Sequence, residues 1–428
     1  MKKFLKVLIV FSLMAHAAIL CAYDVVKRYT LLEDKFKTED MLRPLGHDWL
    51  IDTTAAANRN LLDVIDEADA ASKKNIDNDK ISSSVEMLNK YKDTEQTLRA
   101  QVKVGIPLFS FYAGDVKIVP DIRFGLNWGA NLGIRTEPFN LNSLMEMVGI
   151  AGVTPNMKQA VTNYYQSVPC LYNSNDIILS DAVCNTLPTQ AEKDACKAIP
   201  DREKYRFPTF PNSVPDILAY TKLDAKGGLL FNYFVDNWFG HLDVYALQRS
   251  DYFIRLNANS LAAGSKPVAN SKKMNGQLFL EADYKLGYRY RRYTIYGVVE
   301  ELKLSTLQEQ EANTPLFRYG TDPLFRIHAD AKYQLPVVSF IPFVGAHKRS
   351  AYSAFQGLYG GAEIGAYAWD DRLGLLFRGM VDSEHITLTP RVRLWFMQLE
   401  YSLKMPIQQK VEDVTVSTLH SVDFRIFF

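Results

Sequence analysis

From about residue 97 onward, hydrophobic and polar residues take turns along the chain. In "DIRFGLNWGANLGIR", Ile122, Phe124, Leu126, Trp128, Ala130, Leu132 and Ile134 share one side. Arg123, Gly125, Asn127, Gly129, Asn131, Gly133 and Arg135 share the other. A period of two means an extended strand whose two faces meet different surroundings. "TLRAQVKVGIPLFSFY" before it alternates in the same way, and "AGD" at Ala113–Asp115 between them reads as a hairpin turn.

The pattern returns after residue 216 and runs to the end. "LFLEADYKLGYRY" sets Leu278, Leu280, Ala282, Tyr284 and Leu286 against Phe279, Glu281, Asp283, Lys285, Gly287 and Arg289. "FRIHADAKYQ" sets Phe325, Ile327 and Ala329 against Arg326, His328, Asp330 and Lys332. "GLYGGAEIGAYAW", "MQLEYSLKM" and "SVDFRIFF" continue it. About 12 to 14 strands result, and even numbers are the rule for bacterial single-chain barrels. Glu300–Leu304 and Arg393–Met397 break the alternation.

One face of these strands is polar and rich in glycine, while the other is aliphatic and aromatic with almost no charge. Glycine weakens a strand interior unless curvature or crowding demands it, as on the inner face of a closing barrel. The uncharged face suits lipid, where Arg or Lys costs roughly 2–4 kcal/mol at the midplane. Arg123, Asn127, Asn131, Arg135, His241, Asp243, Glu281, Asp283, Lys285, Arg326, His328, Asp330 and Lys332 are then expected to line a lumen.

The N-terminus supports export. "MKKFLKVLIVFSLMAHAAILCAY" has Lys2, Lys3 and Lys6 ahead of an apolar stretch from Phe4 to Leu13, the order of a secretory signal. Cleavage after Ala22 or after Ala17 fits, and a lipoprotein cut before Cys21 is a third option. Beyond it no run of about 18 apolar residues follows, so an exported chain that enters a bilayer is left with a closed barrel. "HSVDFRIFF" ends with Val422, Phe424, Ile426 and Phe428 on one face, and resembles the C-terminal signature that the assembly machinery of Gram-negative outer-membrane barrels reads.

Two regions depart from the strand pattern. Residues 23–96 read as helical, with "TTAAANRNLLDVIDEADAASKK" placing Ala57, Leu61, Leu62, Ile65 and Ala68 near one face. Residues 136–216 form an insertion too long for a bare connection. It carries Cys170, Cys184 and Cys196, whose spacing matches no zinc pattern. Export implies an oxidising compartment, so one disulfide is expected, with Cys184–Cys196 the first choice. The expected organisation is a signal at 1–22, a helical periplasmic or plug region at 23–96 and two barrel strands at 97–135. The disulfide-containing insertion at 136–216 and the remaining strands at 217–428 follow. With the N-terminus on the periplasmic side, the Ala113–Asp115 turn would face outward and the insertion would return to the periplasm.

A helical, Ala-rich N-terminal segment followed by a barrel resembles FadL-type transporters of hydrophobic molecules and the related TraF-like outer-membrane proteins. The resemblance implies an N-terminal segment that plugs the lumen, and no site residue carries over.

Charge excludes little. Lys+Arg total 49 and Asp+Glu 48, so nothing argues for a nucleic-acid partner. The 23 Tyr and 24 Phe suit strands and interfacial belts. No nucleotide loop, metal set or cofactor motif is present, and no cofactor is expected. His241 with Asp243, and His328 with Asp330, share a strand face at i and i+2, which would allow an oriented imidazole. No nucleophile motif accompanies either pair, and no catalytic residue is assigned. The cations expected on the inner face outnumber the anions, which favours either an anion-selective pore or a ladder of cross-strand ion pairs. The expected partners are outer-membrane lipid, lipopolysaccharide and the assembly machinery. The sequence thus leads to a passive channel or transporter for small hydrophobic or anionic molecules, not an enzyme. A structural or adhesive barrel and a His-Asp hydrolase are the alternatives.

Overall fold

The computed structural model describes residues 25–42, 50–58, 61–73, 83, 86–87, 89–138, 154–167, 179–200, 213–257, 275–310, 322–336, 338–369, 373–411 and 414–427. Fourteen strands form a closed antiparallel barrel. They are β1 (Leu50–Asn58), β2 (Thr94–Pro107), β3 (Val116–Pro138), β4 (Ser213–Val235) and β5 (Trp238–Asn257). Next come β6 (Asn275–Tyr290), β7 (Tyr293–Gln310), β8 (Leu324–Ala331), β9 (Val338–Lys348) and β10 (Leu358–Ala368). The last four are β11 (Leu373–Asp382), β12 (His385–Leu394), β13 (Met397–Pro406) and β14 (Leu419–Phe427). Each pairs with the next, and β14 pairs with β1 from Leu50↔Phe427 to Asn58↔Leu419, which closes the ring. Closure leaves no unpaired strand edge to face hydrocarbon.

Among the described residues five α-helices accompany the barrel: α1 (Val25–Met41), α2 (Leu61–Ser72), α3 (Pro155–Ser167), α4 (Asp181–Asn185) and α5 (Gln190–Lys197). A disulfide joins Cys184 of α4 to Cys196 of α5, with an S–S distance of 2.01 Å. Thr189 and Glu192 cap α5 reciprocally, so the short helix keeps its first-turn donors satisfied.

The two faces of the wall differ as lipid and lumen require. Phe124, Val344 and Leu375 are each more than half exposed on the outside. Such a band of apolar surface is far larger than water tolerates. Trp238, Tyr290, Tyr293, Trp369 and Trp395 are exposed next to the short turns, forming an aromatic girdle. Inward positions carry Arg378, Arg391, Glu400 and Asp423, all buried. β3 and β4 have 23 residues each and β5 has 20. All three exceed the ~9–11 residues that cross a bilayer.

The region expected to be helical, 23–96, contains a strand. β1, "LIDTTAAAN", alternates buried and open positions along its length. Alanine and threonine occupy both faces, so the hydrophobic contrast that marks a strand is nearly lost, and alanine favours helix in isolation. Ladders on both sides, to β2 and to β14, decide the matter.

This extra strand reverses the parity of everything after it. The Ala113–Asp115 turn, with Gly114 at φ +62°, lies at the same end as Leu50 and Phe427. The two-residue turns at 236–237, 291–292 and 395–396 share that end. The long connections 59–93, 139–212, 258–274 and 311–323 leave from the other. In barrels of the outer-membrane type, short turns are periplasmic and long loops extracellular. The insertion leaves from the end opposite Leu50 and Phe427, which by this rule would be the outer end rather than the periplasmic side expected from the sequence.

Both breaks in the alternation have causes. Trp395, at φ +50°, sits in the β12–β13 turn. Between β6 and β7 the register shifts three times, and Glu301 adopts φ +57°. This bulge re-aims side chains, as bulges do near working parts of a sheet.

An impermeant thiol reagent on intact cells checks the sidedness, with the unmodified protein as background. Ala191→Cys in α5 is expected to react, and Asp115→Cys only after the cells are broken.

Candidate functional site

α1 lies inside the barrel. Its sequence, VVKRYTLLEDKFKTEDM, has charges around most of its circumference and only a narrow apolar stripe, Val25, Tyr29, Leu32 and Phe36. Arg28, Glu33, Asp34, Lys35 and Glu39 are nevertheless 5% exposed or less. Burial of so many charges is tolerable only if each is paired.

The wall supplies the partners from nearly every direction. Arg28 Nη2 is 2.9 Å from Glu95 Oε2 on β2, and Arg28 Nη1 is 2.7 Å from Glu384 Oε1 in the β11–β12 turn. Lys35 Nζ reaches Asp382 at 2.8 Å and Glu384 at 3.0 Å. Asp34 accepts from Arg349 Nε at 2.8 Å and from the Tyr352 hydroxyl at 2.9 Å. Glu33 meets Lys222 of β4 at 2.6 Å and accepts from Asn127 Nδ2 of β3 at 3.1 Å. Asp40 meets Lys103 of β2 at 2.9 Å. Lys37 pairs with Glu301 of β7, and Glu39 with Lys404 of β13.

The bulge explains how Glu301 takes part. Its positive φ turns the carboxylate to a meeting point of cations: Lys37, Arg349 at 3.1 Å and Arg249 at 3.5 Å. Its own N–H donates to Asp283 Oδ1 at 2.8 Å. A non-glycine residue in this conformation is strained and persists where its surroundings over-determine it.

Apolar contacts set the helix's direction. At the long-loop end Val25, Val26 and Tyr29 cluster with Leu218, Tyr220 and Val414. Gly129 of β3 makes this possible: a Cβ there would stand 2.6 Å from the Tyr29 hydroxyl oxygen. Phe36 lies between the cations Arg99, 4.7 Å from its centroid, and Lys404, 4.3 Å away. At the other end Met41 and Leu42 border a cavity of about 420 Å³ at the short-turn mouth. A second cavity, about 260 Å³, lies between the last turns of α1 and the wall.

The residues read from the sequence as lumen-lining take the following places. Arg123 bonds Asp121 at 3.3 Å, and Asn131 donates to Glu95 at 2.8 Å. Asn127 touches α1 directly. His241, Asp243, Asp283 and Lys285 border the 260 Å³ cavity, where Lys226 bridges Asp243 and Asp283 at 2.8 Å each. Glu281 accepts from the Tyr245 hydroxyl at 3.2 Å. Arg326 pairs with Glu300 and donates to the Lys37 carbonyl at 3.1 Å. Lys332 lies not on a strand but in the connection after β8, at the edge of the larger cavity. Arg135 stands opposite Asp216 on β3, and its side chain lies outside the described residues, as do Cys170 and Phe428. Val422 is open on the outer face, with Phe424 and Ile426 in line behind it.

Neither His-Asp pair is built as a general base. Asp243 is held by Lys226. His328 bonds the Tyr359 hydroxyl at 3.0 Å through Nδ1, while Nε2 is 3.5 Å from Asp330, beyond a working hydrogen bond.

The architecture is that of a transmembrane β-barrel of the outer-membrane type, with its lumen occupied by its own N-terminal helix. No family model matches the chain, and no curated protein matches it. Among solved structures it is similar to a mutant of Rh. blastica porin, at 6% identity and TM-score 0.28, over 89% of this chain and 99% of that one. It is also similar to the transport unit of the autotransporter AIDA-I from Escherichia coli, at 6% identity and TM-score 0.31, over 95% and 99%. A third is CdiB from Acinetobacter baumannii, at 6% identity and TM-score 0.31, over 90% of this chain and 61% of that one. At such scores no functional detail transfers.

Two outcomes test the seat of α1. Arg28→Ala leaves Glu95 and Glu384 buried without it, at a cost of about 3–5 kcal/mol. Hydrogen exchange should quicken across residues 25–41 while β10–β14 stay protected. Glu384 also predicts the pH response. Burial raises its carboxyl, but Arg28 and Lys35 outweigh that and hold it at about 2, below its ordinary 4.5. Its contribution is therefore present above about pH 4.5 and lost as pH falls toward 2. The protection factors of α1, corrected for the intrinsic pH dependence of amide exchange, should be flat from pH 5 to 8 and fall only in stronger acid.

Proposed function

We propose that this protein is a channel or transporter of the bacterial outer membrane, held closed by α1. One observation carries the reading: the helix crosses the lumen and is bound to the wall chiefly by ion pairs, with apolar packing confined to small clusters around Val25, Val26, Tyr29 and Phe36. A plug of this kind leaves while exposing little hydrophobic surface beyond those clusters. Released charges on helix and wall would meet water instead of each other, so opening loses little net free energy compared with unpacking an apolar core.

The two cavities beside α1 support the reading, since they leave space along the wall that a shift of the helix would join. An N-terminal segment inside the lumen also fits the FadL-type resemblance of the sequence. The extra helices at the outer end favour a second reading, a sealed barrel that presents its disulfide-joined α4–α5 pair to partners.

Planar bilayers separate the two. Deleting residues 25–41 is expected to raise single-channel conductance several-fold over the intact chain. If the deletion variant inserts, keeps its strand content and still conducts nothing, the channel reading fails and the sealed barrel stands.

A further inference from the structure

Charge in the lumen is matched at most places except its short-turn mouth. Arg391 meets Glu400 at 2.6 Å and Glu363 at 3.2 Å. Arg425 meets Asp52 at 2.7 Å, and Arg249 meets Asp224 at 2.8 Å. Below Met41 the balance changes. The cavity of about 420 Å³ there is bordered by Lys285, Arg289, Arg291, Arg292 and Lys332. No carboxylate among the described residues lies within ion-pair distance of these five. Glu363 also borders the cavity but is held by Arg391, and Asp330, outside ion-pair distance of the five, still leaves them a clear excess of positive charge.

Aromatic rings, not anions, support these cations. Lys285 Nζ stands 4.0 Å from the centroid of Tyr296. Arg289 lies 5.5 Å from that of Phe239, and Arg292 5.1 Å from that of Tyr333. A cation–π contact fixes a charge in place yet leaves its N–H donors largely unused. Several such charges around one recess with low-dielectric walls concentrate anions. The volume lies within the range of small-molecule sites.

We propose that this vestibule binds small polyanions through their carboxylate or phosphate oxygens, at the periplasmic mouth directly beneath α1. The inference rests on the channel reading for its purpose, naming the chemical class of solute that reaches the plug. It rests on the cavity alone for its existence. Oxyanions of two sources share this chemistry: a free solute, and the headgroup of an anionic phospholipid beside the rim arginines.

Citrate is a suitable probe, titrated calorimetrically into the full chain in neutral detergent. It is expected to bind, to bind more weakly as salt rises, and to bind far better than acetate. Lys285→Gln with Arg289→Gln removes two charged donors and should weaken citrate by about tenfold or more. Arg291→Gln with Arg292→Gln, placed in a turn outside the strand ladder, should weaken it too without threatening the fold. Repeating the titration in phosphatidylcholine nanodiscs with and without phosphatidylglycerol separates the sources. Equal affinity assigns the site to free solutes, and loss with phosphatidylglycerol assigns it to a headgroup. Absence of citrate binding, or binding that neither double variant changes, overturns the proposal. Because α1 stays in place throughout, a protein that binds citrate yet never conducts would sink the channel reading and leave this site standing.

Discussion

The ion pairs between α1 and the barrel wall are the constraint on which the rest of the structure depends. Fourteen strands enclose more space than their own inward side chains fill, and those side chains are largely charged. Glu95, Lys222, Glu301, Arg349, Glu384 and Lys404 stand on widely separated parts of the wall, yet each has its counter-charge on one helix. Without the helix these groups would face water. With it they are dry and neutralised. The wall and the plug are therefore complementary in charge pattern, and removing one partner leaves another buried and alone.

This account explains features that look unrelated. Gly129 is small because Tyr29 occupies the place of its side chain. The β6–β7 bulge interrupts a long regular ladder, and its result is a carboxylate delivered to Lys37, Arg249 and Arg349. Part of the short-turn mouth lies beyond the reach of the helix, and there Lys285, Arg289, Arg291, Arg292 and Lys332 have no carboxylate within ion-pair distance among the described residues. Along α1 charge is largely paired, and the excess is local to the β6–β8 side of the mouth, since Arg425 and Asp52 pair at the same end.

The strands were legible in the sequence because lipid and lumen impose opposite demands on successive residues. "DIRFGLNWGANLGIR" shows this at its clearest: Phe124, Leu126 and Trp128 are exposed on the outer face, and Asn127 and Asn131 bond α1's partners or α1 itself. β1 was not legible, since "TTAAA" offers almost no contrast between its faces and pairing alone makes it a strand. That single omission moves the insertion to the barrel end opposite Leu50 and Phe427. The plug helix was hidden for a different reason. Sequence patterning looks for a broad apolar face, and α1 offers only the narrow stripe of Val25, Tyr29, Leu32 and Phe36 among charges, because most of its surroundings are charged. The one signal available was the dense mixture of both signs from Lys27 to Asp40, which ordinarily marks a solvated helix. Break points in the alternation proved more informative than the alternation itself, since Glu300–Leu304 coincides with the bulge that serves the helix.

The central claim is that α1 closes the lumen and opens it by moving. A cysteine pair at Glu39→Cys and Lys404→Cys, joined by a short cleavable bis-thiol linker, ties the helix to β13 at a place where the two already meet. Single-channel recording in planar bilayers then reads the consequence directly. The account predicts a silent protein while the linker is intact and openings once it is cleaved by reductant in the same membrane. Equal conductance before and after cleavage would contradict it.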